Sequence, residues 1–214
     1  MKTIYLFSGL GADYRAFQNL KLNGFVIQHI TWEIPLQNES LIAYAQRLIP
    51  QITAKYPVFI GLSFGGIVAT EVAKLIPVEK LILISSVATR NDLPFYFRHA
   101  GIVGLHKLIP FNKLVRFHRL NVWLFGVEDE ADQQLLNAII ADTSPVFLLW
   151  AIDKIVRWNN KTRLNNCIQI HGSSDKLFPI YALQPDIRIE DGGHFMVLNK
   201  AEAMNTHLHA ILQS

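Results

Sequence analysis

Apolar residues along the chain follow two rhythms. Short, nearly unbroken runs, "TIYLF" (3–7), "FVIQHI" (25–30), "PVFIG" (57–61), "KLILIS" (80–85), "CIQIHG" (167–172) and "DIRIED" (186–191), read as six strands. Between them the spacing lengthens to that of helices. Leu41, Ala45, Leu48, Ile49 and Ile52 share one face, and Ile67, Val68, Val72, Leu75 and Ile76 share another. Strands with little polar alternation, separated by helices, predict a parallel sheet covered on both faces. The expected fold class is α/β: a three-layer α/β/α sandwich with a mostly parallel six-stranded sheet.

The alternation breaks once, between about residue 87 and residue 165, where helical periodicity continues without a convincing strand. This stretch reads as an insertion between two parts of one core, residues 1–86 and 166–214. It holds ten of the chain's 23 aromatic residues, among them Phe95, Tyr96, Phe97, Phe111, Trp123, Phe125, Trp150 and Trp158. Large apolar groups without a sheet of their own must pack on the top edge of the sheet or on an apolar ligand.

Composition narrows the partners. The chain has 214 residues, half of them apolar, enough to bury a core without disulfides or metal. A net charge of +3 lacks the dense basic stripe that nucleic-acid binding requires, so no nucleic-acid partner is expected. The single cysteine, Cys167, sits among apolar neighbours and reads as a small buried hydrophobe. Near the N-terminus the apolar run "IYLF" stops at Ser8 and Gly9, short of the roughly 7–15 residues of a signal-peptide core. No window reaches the roughly 18 apolar residues of a membrane span. A cytoplasmic protein without a membrane span is the expectation.

The candidate chemistry begins at "FIGLSFGGIV" (59–68), a G-x-S-x-G pattern with Ser63 between Gly61 and Gly65 and a further glycine at 66. A strand precedes it and a helix follows. In such a bend the serine occupies the apex in a strained conformation, and the flanking positions must be small because backbone lies against them. The following helix points its unpaired N–H groups and positive dipole end at the serine. The alternative is a glycine-rich turn in which Ser63 merely caps the helix.

A serine hydroxyl needs a base to take its proton and a third group to hold that base in the right tautomer. "IQIHGSSDKLFP" ends a strand at His171 and Gly172 and presents Asp175 in the next loop. "RIEDGGHFMVLNKAEAM" ends the last strand and presents His194 ahead of a helix with Ala201, Met204, Leu208 and Ile211 on one face. The order Ser63, Asp175, His194 is that of nucleophile, acid and base in one fold. Asp175 could instead cap the turn before Pro179, with Asp92 the rival acid, and His171 reads as a packed strand-end residue.

Through "GLSFGG", "HGSSDKLFP", "GGHF" and the early "SGLGAD", the chain resembles the α/β-hydrolases over nearly its whole length. The resemblance implies Ser63 as nucleophile, His194 as general base and then acid, and Asp175 as the carboxylate that orients it. It also implies an oxyanion hole from the amides of Phe64 and Leu10. No cofactor and no metal are implied. Residues 87–165 stand where the family places a helical cap, whose Phe and Trp content suits a hydrophobic acyl or alcohol group.

Two departures stand out. Ser8 occupies a position where a histidine often precedes the glycine, which puts the loop's supporting hydrogen bonds in question. The chain also begins directly with the strand of that loop, where relatives usually carry two strands before it, leaving a sheet edge able to pair with another chain. The basic residues Arg98, His99, His106, Lys107, Lys113, Arg116, His118 and Arg119 read as a solvated face, with recognition of an anionic substrate as the alternative. The expected activity is a serine hydrolase acting on a small acyl substrate. The alternatives are a non-catalytic ligand-binding protein and a carbon–carbon hydrolase or lyase of the same fold.

Overall fold

The computed structural model describes residues 2–104 and 118–213. Six strands, β1 (Thr3–Phe7), β2 (Val26–His29), β3 (Val58–Leu62), β4 (Lys80–Ile84), β5 (Cys167–Gly172) and β6 (Ile187–Ile189), form one sheet. Their order is β2-β1-β3-β4-β5-β6, and every neighbouring pair is parallel. The sheet expected to be mostly parallel is therefore wholly so.

Parallel strands buried on both faces need apolar side chains at odd and even positions alike. Tyr5, Phe7, Phe59, Leu81 and Leu83 point to one face, where α1 (Leu41–Leu48) and α2 (Phe64–Ala73) cover them. Ile4, Leu6, Ile60, Leu62, Ile82 and Ile84 point to the other, beneath Phe17 and the helices α7 (Met196–Asn199) and α8 (Ala201–Gln213). Ser40 caps α1 by accepting the Ala43 amide, which explains where the helical spacing of that segment begins.

Between β4 and β5 the described residues form no strand. They fold into α3 (Phe95–Val103), α4 (His118–Phe125), α5 (Glu130–Ala141) and α6 (Pro145–Arg157). Helix α6 lowers Phe147 and Trp150 onto Trp32, Tyr44 and Phe64, with ring centroids 4.5–6.3 Å apart. Part of the aromatic content of this stretch is thus core that ties the helices to the sheet layer. Gly101 permits the close crossing of α3 and α6, since a Cβ there would lie 2.1 Å from the Val156 carbonyl oxygen. Phe111 and the basic residues His106, Lys107, Lys113 and Arg116 lie outside the described residues.

Among the described residues no single helix is long and apolar enough to cross a membrane. Helices α5 and α6, apolar when taken together, meet at 98° and bury Leu136, Ile139, Phe147 and Ala151 in the two cores. Strand β2 forms one sheet edge and is largely exposed.

Candidate active site

Ser63 follows β3 directly and precedes the first residue of α2, with φ +51° and ψ −122°. A β-carbon-bearing residue is strained in that region, and the surrounding backbone over-determines it. Its amide donates to the Ile84 carbonyl at 2.9 Å, and its carbonyl accepts from Gly66 N and Ser86 Oγ. Gly65 is demanded by space. A Cβ there would sit 2.1 Å from the Ser8 carbonyl oxygen and 2.2 Å from that of Phe7. The bend therefore packs backbone against backbone on the loop that follows β1. The Ser63 side chain makes no helix-capping hydrogen bond.

The hydroxyl instead donates to His194 Nε2 at 2.8 Å. His194 Nδ1 donates to Asp175 Oδ2, also at 2.8 Å, and because a carboxylate only accepts, this bond places the ring hydrogen on Nδ1. The other carboxylate oxygen, Oδ1, accepts the amides of Leu177 and Phe178 at 2.8 and 2.9 Å. Asp175 thus caps its turn with one oxygen and holds the imidazole with the other, joining the two readings that the sequence set apart. Burial opposes its ionisation, but the charge of His194 and the N–H groups of His171 and His194 outweigh burial and hold the carboxyl well below the usual carboxylate range. Asp92 is occupied elsewhere, accepting the amides of Ala88 and Thr89.

The loops carrying the acid and the imidazole are laced together. Ser174 N donates to the Gly192 carbonyl at 2.9 Å, and Asp191 N to Ser173 Oγ at 2.8 Å. Phe125 and Phe178 flank the His194 ring edge-to-face, each with centroids 5.4 Å away. These contacts leave the imidazole 2 % exposed, with Nε2 directed at Ser63.

The loop after β1 closes a turn in which Ala12 N donates to the Gly9 carbonyl at 3.0 Å, with Gly11 at φ +67°. Gly9 lies against Ser63, Leu10 lines the same cavity as Ser63, and the Leu10 amide takes no acceptor among the described residues. Phe64 begins α2, so its amide has no intrahelical acceptor either. The question raised by Ser8 has a direct answer. Its hydroxyl donates to the Ala12 carbonyl and accepts from Trp32 Nε1 at 2.9 Å, so one buried serine braces the turn from within. From outside, Thr143 Oγ1, just past the end of α5, shares its hydrogen between the Ile139 carbonyl at 3.0 Å and the Gly11 carbonyl at 3.2 Å. Trp32 and Thr143 carry no local sequence signal for this task.

Ser63 and His194 open onto a cavity of about 420 Å³. Leu136, Ile139 and Ile140 of α5 and Leu148, Ile152 and Ile155 of α6 supply much of its wall, with Tyr96, Phe97 and Phe125 closing other sides. No Asp, Glu, Lys or Arg lines it among the described residues. Arg98, His99, His118 and Arg119 lie off this wall. Cys167 is also remote from it, and burial pushes its thiol up to about 11, in keeping with an inert packed residue.

Comparison with solved structures matches this architecture over the full chain. An esterase from Exiguobacterium antarcticum aligns with a TM-score of 0.74 at 18% identity, covering 100% of this chain and 92% of that one. A bromoperoxidase from Bacillus anthracis gives 0.70 at 17% identity, with the same coverage. An epoxide hydrolase from metagenomes of hot environments gives 0.69 at 14%, covering 99% and 90%. The chain has the α/β-hydrolase fold. No family profile matches its sequence, and no curated protein does so either. The similar structures carry different chemistries, so the reaction must be argued from the site.

Proposed function

We propose that this protein is a serine hydrolase that cleaves an ester or related acyl bond of a hydrophobic substrate through a covalent acyl-enzyme. The observation that carries the reading is the continuous relay from Ser63 Oγ through His194 to Asp175, with both bonds at 2.8 Å, at the end of an apolar cavity.

In this reading Ser63 Oγ attacks the substrate carbonyl carbon as its proton passes to His194 Nε2. Asp175 stays ionised and stabilises the imidazolium. The amides of Leu10 and Phe64 take up the oxyanion, and the α2 dipole adds positive potential at the same place. Collapse of the tetrahedral intermediate expels the alcohol, which takes the proton from His194. A water then repeats the sequence: it gives its proton to His194, attacks the acyl carbon and releases the carboxylic acid, while Ser63 recovers its hydrogen. The described helices of the 87–165 insertion serve as a cap over the site, with α3, α5 and α6 walling the substrate pocket.

A fluorophosphonate probe tests the chemistry: the wild type is expected to carry one adduct, located on Ser63 by peptide mass spectrometry. An unlabelled protein that splits no short p-nitrophenyl ester would instead be a ligand-binding protein of this fold. Turnover without a trapped acyl adduct would indicate a lyase. The cavity makes a graded prediction as well. Across p-nitrophenyl esters of increasing length, kcat/KM is expected to rise by about four-fold per methylene, from ~0.8 kcal/mol of burial each, until the chain fills the space. Acyl groups ending in a carboxylate should be disfavoured, because the wall offers them no counter-charge.

A further inference from the structure

His171 is the penultimate residue of β5 and is fully buried, and the relay described above makes no use of it. Its Nε2 lies 2.8 Å from the Phe178 carbonyl oxygen and 3.2 Å from Asp175 Oδ2. A carbonyl can only accept, so the hydrogen resides on Nε2 and points into the narrow space shared by those two oxygens. The opposite nitrogen, Nδ1, is buried and has no partner among the described residues. Strand-end packing would be better satisfied by an aliphatic residue, without an orphaned polar atom.

Both oxygens near His171 belong to groups that touch His194. Oδ2 of Asp175 is the oxygen that accepts from His194 Nδ1, and the Phe178 ring lies edge-to-face on the imidazole. Phe178 also donates its amide to Asp175 Oδ1. The turn from Asp175 to Phe178 is thereby closed twice, by the carboxylate from inside and by His171 from the strand.

We infer that His171 is a positioning residue: its Nε2–H fixes the turn that carries Asp175 and Phe178, and draws on the same carboxylate oxygen that holds His194. The inference rests on the hydrolase reading above. Its consequence has a sign. An N–H beside Oδ2 takes up part of the carboxylate's charge. Without it, Asp175 favours the protonated imidazole more strongly, and a protonated His194 cannot accept the Ser63 proton. Among the described residues, few other groups face the Asp175–His194 pair. Ser63 approaches from α2 and Tyr96 from α3, and Phe125 and Phe178 contribute only rings. The Tyr96 phenol, raised by burial and by the nearby Tyr181 and Asp175, is neutral through the acid range.

The test is the pH profile of kcat/KM for a short p-nitrophenyl ester, measured on the full chain. His171→Leu is expected to move the acid limb to higher pH by about half a unit or more and to lower kcat by roughly 10-fold, with KM within about two-fold. His171→Gln, whose terminal amide can occupy the place of Nε2–H, is expected to restore both towards wild type. If the Leu chain does not fold, His171→Asn takes its place, since its amide is too short to reach Phe178 and the same displaced limb is expected. A Leu or Asn variant with the wild-type limb, or a Gln variant no better than Leu, would overturn the inference even while the wild type reacts normally with fluorophosphonate. A wild type that never reacts would overturn the hydrolase reading and this inference with it.

Discussion

Ser63→Ala is expected to abolish fluorophosphonate labelling and to lower kcat by about 10⁶-fold, the scale on which loss of a nucleophile acts when nucleophile and base work as a unit. The substitution removes one oxygen and leaves its setting in place. Alanine at φ +51° carries the same strain that serine does, and the bonds from Ser63 N to Ile84 and from Gly66 to Ser63 O are made by backbone. Substrate binding should therefore survive, since alanine keeps the Cβ that Ser63 presents to the cavity and most of the wall is formed by other residues. His194→Ala should cost about as much, and the double variant no more than either single one. Equilibrium binding of a non-hydrolysable ester analogue, measured beside kcat, separates a lost nucleophile from a collapsed pocket.

The second large effect is expected at Asp175→Asn, a loss of about 10⁴-fold in kcat, and the local geometry explains its size. The amides of Leu177 and Phe178 hold the Oδ1 position, so they select the carbonyl oxygen of the new asparagine. Its NH₂ then faces His194 Nδ1, two donors cannot meet, and the imidazole must carry its hydrogen on Nε2. That nitrogen can no longer accept from Ser63. Stability should respond too. Because the folded-state carboxyl lies below its unfolded value, its contribution is present in full above the ordinary carboxylate pKa of about 4 and is lost as pH falls from there towards the depressed value. Denaturant midpoints of the wild type should therefore fall more steeply below about pH 4 than those of Asp175→Asn.

The sequence made some of this legible because the signals are local. A strand run against a glycine-flanked serine, followed by helical spacing, encodes the bend at Ser63, since both the strain and the need for small neighbours arise within a few residues. Aspartate and histidine placed just past the last two strands could be related to Ser63 by chain order, because in a parallel sheet the strand ends gather at one edge. Periodicity located all six strands for the same reason. What stayed hidden depends on contacts between distant segments. Nothing near Trp32 says that its indole N–H reaches Ser8, and nothing near Thr143 says that it reaches Gly11. The i, i+4 spacing of His171 and Asp175 carries no signal of contact, since on a strand and the loop beyond it this spacing implies no shared face. Phe147 and Phe125 could not be sorted in advance either, one being packed in the core and the other lining the cavity.

The backbone contact at Gly65 bears on how such a protein could diversify. The spacing between the nucleophile's bend and the Ser8–Gly9 peptide is set by main-chain atoms in contact, whereas the cavity is bounded by interchangeable aliphatic groups on α5 and α6. In the proposed hydrolase reading, the dimensions of the reaction centre are inherited with the chain trace, while the accepted substrate can drift one methyl group at a time. A library confined to Ile139, Ile140, Leu148 and Ile152 would thus explore new molecules at constant chemistry.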